Sequence, residues 1–311
     1  MKRALGLIMM VAAGALHAQN FPNRLIRVVT TEVGGASDLA TRIMAQALSV
    51  NLGQSAIVEN RGIIGVEIVS QATADGHVLL HYTSPLWIIP LFRANTPWDP
   101  LRDFVPIALT VNSPNLLAVH PSLPVKTVPQ LVALAKARPS ALNYASSSSG
   151  SGNHLAAELF KSMTGTKIER IAFKGAGAAV NAVMGGQIDL MFPTAGSVTQ
   201  IIKQGRLRAL AVTSLEPSAI VPGLPTMAQA GVPGYESQSR TALFAPAKTP
   251  PAVIARIHAE VTRALNQAEV RERLFAAGLD VIASTPQEAV AVIKSEMARM
   301  SKLIDDAGLR E

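Results

Sequence analysis

Apolar and polar positions along this chain follow two alternating periods. Runs rich in β-branched and aliphatic residues at 26–30, 55–59, 78–82, 115–120, 142–145, 168–172, 188–192 and 209–213 read as strands. Between them, apolar residues recur at three- and four-residue spacing over 38–50, 65–72, 128–137, 153–163, 178–184 and 197–204, as helices that bury one face do. This alternation predicts an α/β fold with mainly parallel sheets flanked by helices. The stretch 87–92 is mixed, and 243–244 is a short late strand. In the tail, Pro250-Pro251 opens a helix over 252–266, with Val253, Ile254, Ile257, Val261 and Leu265 on one face. A helix over 268–277 exits at Gly278, and Ser284-Thr285-Pro286-Gln287-Glu288 caps a last helix over 287–307.

Twice a strand breaks into a loop of glycine and hydroxyl residues and then into a helix. Arg27-Val28-Val29-Thr30 leads through Gly34-Gly35-Ala36-Ser37 to the helix 38–50, and Leu142-Asn143-Tyr144-Ala145 leads through Ser146–Ser149 and Gly150-Ser151-Gly152 to the helix 153–163. Such loops carry no bulky side chains, so their backbone N–H groups and those of the helix's first turn stay bare. That is the chemistry of an anion site. Two such sites in a chain long enough for two lobes imply a small anion held between them.

Met1-Lys2-Arg3, the apolar run 4–16 and Ala18 form the charged, apolar and small-residue parts of a secretory signal, 1–18. The apolar run is shorter than the roughly 20 residues needed to span a bilayer, so the expected location is extracytoplasmic. There is no cysteine, which excludes thiol catalysis, disulfides and thiolate metal sites. The formal net charge is +7. Its Lys and Arg form no basic runs interleaved with aromatics, so no nucleic-acid partner is expected. A mild positive field suits anionic ligands, and ordinary surface charge explains it equally well. Proline and glycine at 121–124 and again at 217–234 mark crossings between lobes. Lobe 1 would then comprise 19–122 and 235–311, and lobe 2 would comprise 123–234.

Asn143-Tyr144-Ala145-Ser146-Ser147, His154-Leu155-Ala156, Glu158-Leu159-Phe160, Lys174-Gly175, Gly185-Gly186-Gln187-Ile188-Asp189-Leu190-Met191-Phe192, Leu207-Arg208-Ala209-Leu210-Ala211-Val212-Thr213 and Ala230-Gly231-Val232-Pro233-Gly234-Tyr235-Glu236 follow one another along the chain, each weak alone and informative in this order. With Val58-Glu59-Asn60-Arg61, Asp75-Gly76, Asp103-Phe104 and Ala245-Pro246-Ala247, they resemble the substrate-binding receptors of tripartite tricarboxylate transporters, also called Bug receptors. The resemblance covers essentially the whole mature chain. It implies a periplasmic, monomeric receptor of the two-lobed type II periplasmic-binding-protein fold, without cofactor. Such a receptor closes on a small mono-, di- or tricarboxylate and delivers it to the membrane permease subunits. Carried over position by position, it assigns the ligand to Val33, Gly34, Gly35 and Ser37 in lobe 1 and to Ser147, Ser148, Ser149 and Ser151 in lobe 2. Thr83 and Ser84, after the strand 78–82, match a further hydroxyl-bearing loop, and Thr194 follows Pro193 in another.

The departures from the family pattern bear on the ligand. Thr30-Thr31-Glu32-Val33 stands where the family writes Pro-Phe-Ala-Ala, and Gly62-Ile63-Ile64-Gly65 where it writes Pro and several Gly. Pro193 replaces a common Asp that would suit a ligand ammonium, which argues against an amino-acid ligand. Arg240 replaces an aromatic. Facing the cleft it would grip a second carboxylate bidentately, and otherwise it is a surface or interlobe arginine.

Other constellations read as structural. No Ser has the flanking Gly spacing of a hydrolase elbow, and no Gly-Lys-Ser/Thr closes the glycine loops, so neither acyl transfer nor phosphate chemistry is expected. His154 and Glu158 have metal-pair spacing but lack further ligands, and read as a helix-surface pair. Asp38 reads as a helix cap, Asp189 as a strand-entry residue, and Trp87 and Trp98 as either core or cleft wall. A ligand-dependent sensor for a membrane signalling protein stays open beside uptake, because both use the same closing lobes.

Overall fold

In the computed structural model, residues 21–31, 33, 36–93, 95–147, 150–306, 308 and 310 are described. The expected signal segment lies outside them. In chain order the elements are β1 (Ile26–Thr30), α1 (Ala36–Leu52), β2 (Ala56–Asn60), α2 (Ile64–Ser70), β3 (Val78–Thr83), α3 (Pro85–Phe92) and β4 (Phe104–Pro114). The middle of the chain forms β5 (Leu116–Val119), α4 (Val128–Ala137), β6 (Asn143–Ser146), α5 (Gly152–Thr164), β7 (Glu169–Ala172), α6 (Ala176–Met184), β8 (Leu190–Met191), α7 (Ala195–Lys203) and β9 (Arg208–Val212). The tail adds β10 (Gln238–Pro246), α8 (Pro251–Leu265), α9 (Ala268–Ala276), β11 (Asp280–Val281) and α10 (Pro286–Asp306).

These strands form two sheets, one per lobe, in the orders β11-β4-β10-β3-β1-β2 and β7-β6-β8-β5-β9. The parallel pairs implied by strand–helix alternation are present as β1–β2, β1–β3, β6–β7 and β6–β8. Strands that enter or leave the crossings run the other way. β10 is antiparallel to β3 and β4, and β5 is antiparallel to β8 and β9, so both sheets are mixed.

β4 is a long strand for which the sequence offered only Asp103-Phe104; Pro106 and Pro114 hide its strand pattern. Two helices of the middle stretch carry their own boundary signals. Thr127 caps α4 through its side chain to the Gln130 N–H, and Gly165, in the left-handed region, ends α5.

The change of sheet falls at Asn115, not at 122 as the prolines suggested. β5 already belongs to the second sheet, and Pro121–Pro124 punctuate the loop from β5 to α4 instead. The return crossing spans residues 213–237. Thr213 joins both crossings: its hydroxyl lies 2.7 Å from the Asn115 carbonyl and 2.5 Å from the Ser237 carbonyl, while the Ser237 N–H donates back to the Thr213 carbonyl at 3.0 Å. Thr213 is fully buried, so these bonds form in a low-dielectric setting where breaking them is costly.

One hydrophobic cluster runs through both lobes, from Val29 and Leu80 by way of Leu86, Trp87 and Ile88 of α3 to Tyr144, Phe160 and Phe192. Separate clusters lie under α1 and α8 in lobe 1 and under α6 and α7 in lobe 2. Trp87 and Trp98 are both core; the Trp98 indole donates to the Leu86 carbonyl at 2.8 Å. Among the described residues no helix is long and apolar enough to cross a membrane.

The lobes also touch through two glycines. Gly278, which ends α9 with φ +77°, has its Cα against Gly196 in the first turn of α7. A Cβ on Gly196 would stand 2.2 Å from the Ala277 carbonyl oxygen, which is backbone and has no rotamer to yield. Gly196→Ala should therefore push the lobes apart or strain α7, lowering stability by about 1–3 kcal/mol. Urea unfolding of the two proteins measures this, and a loss below about 0.5 kcal/mol would show that the contact yields freely.

Candidate functional site

In lobe 1 the site is built on the adjacent ends of β1 and β3. Ser37 lies in the first turn of α1 and Ser84 directly before α3; both are buried, and neither hydroxyl has a hydrogen-bond partner among the described residues. The Ser84 N–H donates to the Arg240 carbonyl at 3.1 Å, which fixes this turn to β10. Val33 is 75% exposed beside them, and Thr83 pairs with Thr241 on the β3–β10 ladder, half-buried. Gly34 and Gly35 lie outside the described residues.

Behind Ser37 runs a buried polar chain. The Thr41 hydroxyl lies 2.6 Å from the Ser37 carbonyl and 2.6 Å from His81 Nδ1; His81 Nε2 lies 2.8 Å from the Thr110 hydroxyl, which itself lies 3.0 Å from the Thr241 carbonyl. Burial lowers the His81 pKa to about 3, so the ring is neutral and bonds with one nitrogen as donor and the other as acceptor. Asp38 accepts from Asn60 at 2.8 Å and pairs with Arg42 at 3.0 Å, which ties α1 to the end of β2.

In lobe 2 the loop after β6 is gathered on Asn153. Its side-chain oxygen accepts from the Ser147 N–H at 3.2 Å, the Ser147 hydroxyl at 3.1 Å and the Ser151 hydroxyl at 2.6 Å. Ser147 and Ser151 therefore shape the loop, and their hydroxyls are already engaged. Ser148 and Ser149 lie outside the described residues. Arg170 of β7 supports the same loop, donating to the Ser146 hydroxyl at 2.8 Å and the Ser147 carbonyl at 3.0 Å. Beyond holding the backbone, it sets a fixed positive charge beside the loop.

The first turns of α5, α6 and α7 receive no side-chain cap, since Ser151, Gly175 and Thr194 precede them without a capping bond. The Thr194 hydroxyl bonds Ser197 instead. Open space lies in front of Gly152, Gly175 and Gly177. Bare N–H groups at helix starts carry partial positive charge and suit an anion. The start of α6 and Arg170 were not among the sequence candidates, although Lys174-Gly175-Ala176-Gly177 after a strand is a third strand–glycine–helix unit.

The two loops meet through α3. Gly150, at φ +76°, has Ile89 of α3 within 3.4 Å of where a Cβ would stand, and the Phe92 and His154 rings lie 6.1 Å apart. His154 Nδ1 accepts the Gly150 N–H at 3.1 Å. Glu158 accepts from Tyr144 at 2.5 Å and from Lys161 at 2.7 Å, and burial together with that carboxylate raises the Tyr144 pKa far above its ordinary value. His154 and Glu158 are thus buried with separate partners, a correction to the helix-surface reading.

Arg240 lies at the lobe boundary with its fork already occupied. It pairs with Glu236 at 2.5 Å and reaches Glu296 at 3.5 Å, while Arg299 holds the other Glu236 oxygen at 2.5 Å. Burial works to raise the Glu236 pKa, but Arg299 and Arg240 outweigh it and hold the carboxyl below its ordinary value. At Glu296, which also accepts from the Trp87 indole, burial wins and the pKa rises. The second ligand carboxylate that the sequence offered to Arg240 would compete with two of the protein's own.

The family model for the tripartite tricarboxylate transporter family receptor matches residues 40–309. BugT of Bordetella pertussis is 32% identical over 305 residues, covering 96% of this chain and 94% of that protein. A structure of Rpa4515 of R. palustris with adipate superposes with a TM-score of 0.85 at 32% identity, covering 93% of this chain and 98% of that one. MatC of Rhodopseudomonas palustris with bound malate gives a TM-score of 0.81 at 28% identity, covering 91% and 100%.

Two measurements probe the buried charges around the site. The unfolded chain binds the His81 proton near pH 6.5 and the folded chain only near 3. The stability contributed by the neutral ring is therefore complete above pH 6.5 and falls as pH drops through this window, by about 1.4 kcal/mol per unit. Between pH 6.5 and 5, the wild type should lose about 2 kcal/mol more than His81→Gln in urea titrations, and parallel losses would refute the assignment. Arg240→Ala should cost about 3 kcal/mol of stability by leaving Glu296 buried without its partner, with Arg240→Lys recovering part. A change under about 0.5 kcal/mol on urea unfolding would mean the pairing contributes nothing.

Proposed function

The chain belongs to the tripartite tricarboxylate transporter receptor family, and we propose that it serves as an extracytoplasmic receptor that binds a small organic carboxylate between its lobes and delivers it to the permease of such a transporter. The observation that carries this reading is the pair of buried, unpartnered hydroxyls at Ser37 and Ser84. A buried hydroxyl without a partner costs about 1–3 kcal/mol, so two on adjacent strand ends need a reason. A carboxylate accepts from both and leaves its negative charge facing the uncapped helix starts of lobe 2.

Relatives crystallised with adipate and with malate support a carboxylate of that size. Val33, Thr83 and Thr194 would border the ligand. Gly34, Gly35, Ser148 and Ser149 remain ligand residues by resemblance, and Ser147, Ser151 and Arg170 act by holding the lobe 2 loop. Arg240 enters only if a second carboxylate displaces Glu236 or Glu296.

A thermal-melting screen over dicarboxylates, monocarboxylates, tricarboxylates, amino acids and sugars tests the class. A bound carboxylate at a hundredfold excess over its Kd should add about 2.7 kcal/mol, and shifts confined to sugars would overturn the reading. Ser37→Ala and Ser84→Ala should move affinity and stability in opposite directions. Each should weaken carboxylate binding by about 1–2 kcal/mol in calorimetry while leaving the unliganded protein equally or more stable. Loss of both together would mark the hydroxyls as structural.

A further inference from the structure

Along one side of the molecule a furrow crosses from lobe to lobe. In lobe 2 it is a cavity of about 540 Å³ between α7, β9 and the segment 220–224, walled by Ile202, Leu207, Ile220, Val221 and Leu224. Thr199, Lys203 and Ile220 are shared with a cavity of about 200 Å³ whose other wall is Phe275, Ala276 and Gly278 of lobe 1. Phe275 is shared again with a cavity of about 260 Å³ that runs on past Arg271, Leu279 and Val281. The furrow uses none of Ser37, Ser84, Ser147 or Asn153, and its midpoint is the Gly196–Gly278 contact.

Three properties of this surface belong together. It is apolar and open, with Phe275 46% exposed, and apolar grooves of this kind on soluble proteins mark interaction sites. It is basic at one end: exposed Lys203 lines the cavity, and exposed Arg206 stands in the chain between the lining residues Gly205 and Leu207; neither has a carboxylate partner among the described residues. The surrounding lobe, residues 116–234, carries ten Lys and Arg against four Asp and Glu. Glu272 and Asp280 lie at the lobe 1 end only. Finally, the furrow is walled by residues of both lobes, so its shape depends on how the lobes sit against each other.

We propose that this furrow is the docking surface for the membrane permease, and that it receives an acidic segment with apolar anchors from the permease's extracytoplasmic face. This rests on the transporter reading above. The acidic part of the segment would lie against Lys203 and Arg206, which steer the encounter, and an apolar side chain would seat beside Phe275 and Ile220. Docking across the lobe boundary would let the permease distinguish the loaded receptor from the empty one by geometry alone, because its affinity differs between the two lobe positions.

The test uses the full chain in its own host with the chromosomal copy deleted and restored as wild type, Lys203→Glu/Arg206→Glu or Phe275→Ala. Uptake of the radiolabelled carboxylate found in the melting screen is measured, together with its calorimetric Kd for each purified protein. The expected result is uptake at least tenfold lower for the double variant and clearly reduced for Phe275→Ala, with Kd within twofold of wild type. Uptake within twofold of wild type would overturn the proposal, as would a loss of affinity that accounts for the loss of uptake. A wild type that binds the carboxylate yet restores no uptake would remove the transporter reading and the docking surface with it, whereas normal wild-type uptake with unaffected variants removes the docking surface alone.

Discussion

Burial of α3 between the lobes is the constraint on which the rest of the structure depends. Leu86, Trp87 and Ile88 are withdrawn from solvent and belong to the hydrophobic cluster that holds residues of both lobes, while Ile89 and Phe92 of the same helix meet lobe 2. Full burial of side chains of this size contributes on the order of 1.5–3 kcal/mol each, more than one hydrogen bond returns. α3 therefore sets the position of both its ends. At the first, Ser84 is held under the β10 backbone with its hydroxyl unpartnered; at the other, Ile89 and Phe92 meet Gly150 and His154 of the lobe 2 loop. Pro90 inside the helix removes an N–H that would otherwise need a partner there.

The charges near the crossings follow from the same burial. Trp87 brings its indole N–H to Glu296, and a carboxylate in such surroundings is tolerable only with cations beside it. Arg240 and Arg299 supply them and share Glu236, which lies on the returning segment. Thr213 joins the two crossing segments a short distance along the chain: its hydroxyl lies against the Asn115 and Ser237 carbonyls, its N–H donates to Asn115 and its carbonyl accepts from Ser237. The hinge is thus defined by hydrogen bonds and ion pairs, directional interactions that fix a geometry, while the apolar core supplies most of the stability.

Much of this was legible in the residues. β1 was placed at 26–30 and α4 at 128–137, where the structure has them, because β-branched runs and helical spacing are local properties. β4 was not legible, since its prolines break the local pattern and its pairing with β10 is made by residues more than a hundred positions away. At the site, glycine and serine content and the family resemblance single out these two loops, but composition does not say which hydroxyls are free. Ser147 and Ser151 are taken by Asn153, and Ser37 and Ser84 are not, a distinction that depends on the tertiary neighbours of each. Arg240 is the clearest case. A guanidinium where the family pattern has an aromatic reads equally as a cleft contact or as an interlobe arginine, and only the fold brings Glu236 and Glu296, sixty positions and fewer from it in the chain, to occupy it.

The division of labour between the lobes follows from where polar groups are satisfied. Lobe 2 presents a loop in which the Ser147 and Ser151 hydroxyls are engaged by Asn153 and the backbone is backed by Arg170, so its contribution to an anion would be a preset arrangement of backbone N–H groups that needs little reorganisation. Lobe 1 presents hydroxyls that are buried and unsatisfied, so it gains free energy only when an acceptor arrives. A ligand seated first against lobe 2 would thus bring lobe 1 the acceptor it lacks, and the energy released on satisfying Ser37 and Ser84 favours the arrangement in which both lobes touch the ligand.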